Sequence, residues 1–205
     1  MKWKVYKLQI NVSKKNFTIA LVIALFAFAA GFMISNHDED SDMMGMSGIN
    51  QNTTSSTEFN AAEIHFAQMM IPHHQQAVEM SELALKNSKD SAVIELAKQI
   101  KAAQAPEIEQ MKSWLTKSGF DSNAPHNMMM AGMLSDAEIS KLKQSKANAF
   151  DKLFLAGMIK HHEGALQMLA MISGSTNDEV KTLSENIAST QTIEIETMKA
   201  MLAGK

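Results

Sequence analysis

The 205-residue chain contains no cysteine. Disulfides, thiolate zinc sites, iron–sulfur clusters and covalent c-type haem attachment are therefore excluded. It also lacks arginine: all nineteen cationic residues are Lys, set against 22 acidic ones for a net charge of −3. No basic stripe interleaved with aromatics is present, so the sequence gives no sign of a nucleic-acid partner. No segment shows the period-two alternation of a strand, and no Ser sits in a recognisable nucleophile elbow. The reading is therefore of an all-α binding protein rather than an enzyme.

Methionine is abundant instead. The chain has 18, more than core filling by a flexible thioether ordinarily needs. Several lie in two copies of one string about 88 residues apart, counted from His73 to His161. The first is Phe66-Ala-Gln-Met-Met70-Ile-Pro-His73-His74-Gln-Gln-Ala77-Val-Glu-Met80, and the second is Phe154-Leu-Ala-Gly-Met158-Ile-Lys-His161-His162-Glu-Gly-Ala165-Leu-Gln-Met168. Phe, Met, Ile, both His, Ala and the final Met recur in register. At about 100° per residue, Met70, His73, His74, Ala77 and Met80 span roughly 120° of one helical face, as do their counterparts. A lone His or a Met stripe on such a face is ordinary core. Two equivalent His pairs are not, because burying imidazoles costs free energy unless each finds a partner.

The repeat extends beyond the His pairs. Val93, Leu96, Ile100, Gln104, Glu107, Ile108, Met111 and Leu115 match Val180, Leu183, Ile187, Gln191, Glu194, Ile195, Met198 and Leu202. The duplicated unit is thus a helical hairpin over 58–117 and again over 147–203. One hairpin cannot bury its apolar stripe alone, whereas two close into a four-helix bundle. Asn60 with Glu63 predicts the capped start of a first helix running to about Lys86. A second runs over 91–116, with Gly119 as its stop. Pro72 and Pro106 fall inside these helices and predict kinks. A connector over 120–134 carries His126, Met128, Met129, Met130 and Met133. Ser135 with Glu138 opens a short helix, the second motif lies on a helix over about 147–172, and Thr176-Asn-Asp-Glu179 caps the last helix, to near Ala203.

Ahead of this domain, residues 1–35 form an anchor or signal segment. Lys2, Lys4, Lys7, Lys14 and Lys15 precede an uncharged run over 17–35, long enough to span a bilayer, and the Lys-rich flank keeps the N-terminus cytoplasmic. Ala27-Phe28-Ala29 fits the competing reading, a cleaved signal peptide. Both export the domain at 58–205, one tethered through a transmembrane helix and one released. Residues 36–57 read as a flexible acidic linker carrying His37, Met43, Met44 and Met46.

Thioether and imidazole donors suit Cu(I) and Ag(I), with Cu(II) held by imidazole nitrogens and oxygen donors. Methionine adds nothing for zinc. A di-iron bundle needs Glu-x-x-His, but Met precedes the first His by three, and Glu63 lies roughly 15 Å along the helix from His73. The candidate ligands are His73, His74, Met70, Met80, His161, His162, Met158 and Met168. The motifs resemble the DUF305 family over about 58–203. That resemblance implies a ferritin-like four-helix bundle and an association with copper in the periplasm, in sequestration, homeostasis or tolerance. A copper-transfer protein or a second copy of the chain is the expected protein partner. Two other readings stand beside this one: a metal- or haem-dependent oxidoreductase on the same bundle, and a purely structural tethered bundle.

Overall fold

Side-chain caps set the helix boundaries. In the computed structural model, which describes residues 58–121 and 130–205, Asn60 and Glu63 form a reciprocal capping box at the start of α1, Ala61–Asn87. Asp90 caps α2, Ser91–Lys117. Ser135 and Glu138 form a second capping box on the short α3, Asp136–Gln144. Helix α4 covers Ala147–Met168 and tightens into a 3₁₀ turn at Leu169–Ile172, so the α-helical part ends a turn earlier than the sequence suggests. Helix α5 covers Asp178–Ala203, and its cap is Asn177 rather than the expected Thr176. Pro72 and Pro106 both lie inside unbroken helices. No strand occurs among the described residues, and none of their helices is long and apolar enough to cross a membrane. The expected anchor at 1–35, the linker at 36–57, and His126, Met128 and Met129 lie outside the described residues.

The two hairpins, α1 with α2 and α4 with α5, join through contact of the motif helices α1 and α4. This places both copies of the string in the bundle interior. The apolar residues form two clusters. One contains Phe66, Met70, Met111, Trp114, Met130 and Met168; the other contains Met80, Phe150, Phe154, Met158 and Met198.

The hairpins also latch each other's loops. Glu63 on α1 accepts a hydrogen bond from Ser175 Oγ, in the loop before α5, at 2.5 Å. Asp151 on α4 accepts one from Ser88 Oγ, in the loop before α2, at 2.6 Å. Glu63 and Asp151 are 2% exposed each, where an unpartnered carboxylate would be costly. Among the described residues, only the second latch carries an ammonium: Lys205 Nζ lies 3.0 Å from Asp151 and 2.8 Å from Asp90.

Candidate metal centre

Four imidazoles meet between the two apolar clusters. His73 and His74 on α1 and His161 and His162 on α4 are all fully buried. The His73 and His161 rings lie 3.8 Å apart between centroids. His74 stands 6.4 Å from His73, and His162 stands 6.1 Å from His161. Adjacent histidines on one helix point about 100° apart, which is why each pair places one ring against the facing helix and the other toward its own hairpin partner.

That second direction determines the tautomers. His74 Nε2 is 2.8 Å from Glu107 Oε2 on α2, and His162 Nε2 is 2.8 Å from Glu194 Oε2 on α5. His73 Nε2 is 3.0 Å from the carbonyl oxygen of Ala131. A carboxylate or carbonyl oxygen can only accept, so Nε2 carries the proton in all three rings. In the neutral imidazole the lone pair then sits on Nδ1. The Nδ1 atoms of His73, His74 and His162 are buried without a partner, as are both ring nitrogens of His161. Leaving such a group unsatisfied costs about 1–3 kcal/mol. A carboxylate behind an imidazole, with the opposite nitrogen free, is the arrangement that orients a metal-ligating His.

Burial sets the charge of the central pair. It is the largest influence holding the His73 imidazole down to about 3; neighbouring His74 and His162 act in the same direction, and the Ala131 carbonyl opposes them. His161 is held well below its ordinary value, first by burial and then by His73, His162 and His74. Both rings are neutral at physiological pH, the state in which imidazole binds metal.

The Ala131 carbonyl reaches His73 because the chain at 130–134 crosses the motif helices at a glycine. A Cβ on Gly164 of α4 would lie 2.0 Å from Ala131 O, and one on Gly132 would lie 2.5 Å from the Lys160 carbonyl. Gly132 also takes φ +81, the left-handed region. Gln76 on α1 fastens the same segment from the other side: its Oε1 accepts from the Leu134 N–H at 2.8 Å, and its Nε2 donates to the Leu134 carbonyl at 2.9 Å.

The predicted thioethers divide across the imidazole layer. Met70 and Met168 belong to the first cluster with Met111. Met158 and Met80 belong to the second with Met198. The repeat exchanges the two sets, so each side of the layer has three equivalent methionines. All six are at most 5% exposed. Met111, Met198, Glu107 and Glu194 stand in the sequence only as matched positions of the repeat, outside the candidate ligands. Their signal was the duplicated Gln-x-x-Glu-Ile-x-x-Met string at 104–111 and 191–198. Among the described residues, no three or more His, Asp or Glu side chains are grouped to hold an ion by themselves. The donor set fits a soft ion taken by imidazole with thioether far better than zinc, which favours a closed shell of imidazole, thiolate or carboxylate.

Comparison with known proteins agrees with this architecture. Residues 63–202 match the family described as Domain of unknown function (DUF305). A DUF305 fragment from Deinococcus radiodurans superposes with a TM-score of 0.66 at 32% identity, covering 71% of this chain and 98% of that one. A DUF305 protein from Streptomyces coelicolor gives 0.65 at 31% identity, covering 70% and 93%. CopM in the Cu(I)-bound form gives 0.60 at 29% identity, covering 69% and 96%; CopM is also known in Cu(II)-bound and Ag-bound forms. No curated protein sequence matches significantly. With both His–His motifs and nearly all of both hairpins inside the match, the chain belongs to the DUF305 family.

Proposed function

We propose that the protein is an exported copper-binding protein that sequesters Cu(I), and takes Ag(I) and Cu(II), in metal homeostasis or tolerance. The observation that carries this reading is the buried imidazole layer, in which three rings have Nε2 engaged and Nδ1 free. A layer built for packing alone would favour apolar residues, because each partnerless nitrogen weakens the fold.

The ligands on this reading are His73, His74, His161 and His162, with Met70 and Met168 on one side and Met80 and Met158 on the other. Pseudo-twofold symmetry allows one shared ion or two equivalent ones. Similarity to CopM, whose structures contain Cu(I), Cu(II) and Ag, supports the choice of metal. The Lys-flanked apolar run at 17–35 supports a site outside the cytoplasm, tethered or released. Thiols there are prone to oxidise to disulfides, whereas a thioether cannot, which suits a cysteine-free metal protein.

Anaerobic Cu(I) titration of the full chain against a chromophoric chelator, with zinc as control, tests the assignment. Selective uptake that drops sharply in the His73→Ala/His161→Ala variant is expected. An unchanged isotherm in that variant refutes the site. Glu107→Leu/Glu194→Leu, which spares every ligand, serves as the second variant should the first fail to fold.

A further inference from the structure

Two buried side chains beside the imidazole layer have no role in holding a soft ion. Gln104 is 1% exposed and Gln191 2% exposed. Neither amide atom of Gln104 has a partner, and Oε1 of Gln191 has none. Satisfied backbone helices surround them, so the missing partner has to be something other than the main chain.

Their positions follow from the hairpin register. The His74–Glu107 bond fixes α1 against antiparallel α2. Three residues along, about 4.5 Å, Gln104 comes level with Ala77. The His162–Glu194 bond sets Gln191 level with Ala165 in the same way. Ala77 and Ala165 are fully buried and offer only a methyl group there. Two amides related by the repeat thus stand one turn from the imidazoles, opposite the smallest side chains of the motif.

We propose that Gln104 and Gln191 determine which oxidation state of copper the site accepts, by holding the water that completes the coordination of Cu(II). The inference rests on the metal-binding reading above. Cu(I) and Ag(I) are satisfied by thioether and imidazole, whereas Cu(II) prefers a tetragonal set of nitrogen and oxygen donors. Glu107 and Glu194 are engaged by His74 and His162, so oxygen ligands must come from water. A metal-bound water is a strong donor, and an amide oxygen can accept from it without adding charge to the interior. Such partners orient ligands without touching the ion. The competing use of two buried amides is to enclose a structural water that is indifferent to metal.

The test compares the full chain, purified in detergent, with Gln104→Leu/Gln191→Leu and with Gln104→Glu. Cu(I), Ag(I) and Cu(II) are titrated separately, and the metal-free melting temperature is recorded. The double variant is expected to lose Cu(II) affinity by about 10- to 100-fold while Cu(I) and Ag(I) stay within about twofold. The Cu(II) electron paramagnetic resonance spectrum should change in Gln104→Glu, where a carboxylate replaces the amide. Equal loss for all three ions overturns the proposal, as does unchanged Cu(II) binding with an altered melting temperature, the mark of a structural water. Wild-type protein that takes Cu(I) but never Cu(II) overturns this inference alone. Wild-type protein that takes neither overturns the parent reading with it.

Discussion

The imidazoles of His73 and His161, equivalent residues of the two repeats, face each other across the bundle with centroids 3.8 Å apart. Two charged rings could not remain so close in a dry interior, and burial keeps both neutral.

The metal-free protein should lose stability as pH falls below about 6.5, the ordinary imidazole value. In the unfolded chain both residues take up protons there, while folded His73 resists down to about 3. The unfolded state therefore binds more protons throughout that window, which lowers the unfolding free energy by roughly 1.4 kcal/mol per pH unit for each such His. Above pH 6.5 this dependence vanishes. Urea midpoints at pH 7, 6 and 5, compared with those of His73→Leu/His161→Leu, check it; parallel profiles for the two proteins would count against the neutral pair.

Copper affinity should respond in steps to the residue behind His74. Glu107→Gln retains an oxygen that accepts from Nε2 and should cost little. Glu107→Leu removes it, frees the tautomer, and should weaken Cu(I) binding by about 10- to 100-fold. Glu194 and His162 should behave alike. Chelator competition measures this, and a Leu variant as tight as wild type would mean the carboxylates only serve packing.

Gly164→Ala should unseat the segment at 130–134. The new methyl would meet Ala131 O at 2.0 Å, so either that segment lifts or α4 shifts, at about 1–3 kcal/mol of stability. Faster hydrogen exchange at the Leu134 amide, which Gln76 now holds, would report the lifting directly. A variant with the wild-type melting temperature and protection would show that the segment is not seated as described.

The two residues of the Asp151–Lys205 latch should prove unequal. Asp151→Ala removes the acceptor of the Ser88 hydroxyl but leaves Lys205 paired with Asp90, with a cost of about 1–3 kcal/mol. Lys205→Ala leaves the buried Asp151 carboxylate with a hydroxyl and no cation and should cost more, about 3 kcal/mol or above. Denaturant midpoints for the two variants should separate in that order.

Much of this was legible from local chemistry. Asn60 with Glu63 and Ser135 with Glu138 announce helix starts because capping is settled within four residues. The His pairs stand out as candidate ligands because duplication preserved them. What stayed hidden depends on register between helices. That Glu107 stands behind His74 follows from how α1 and α2 slide past each other, which no periodicity encodes. The division of Met70 and Met168 from Met80 and Met158 follows from the antiparallel meeting of two copies. Ala131 supplies a backbone carbonyl, and a carbonyl leaves no trace in residue type. Even Gly164, whose missing side chain admits that carbonyl, reads in the sequence as an ordinary helix weakness.

Every imidazole at the centre is fully buried, and this governs time as well as affinity. On the proposed metal-binding reading, an ion has to reach nitrogens that the described helices cover, so uptake waits for the helices to part. Loading should then level off at high ion concentration, at a rate equal to the opening frequency of the fold. Release should be slower still, since a bound ion holds shut the door through which it must leave.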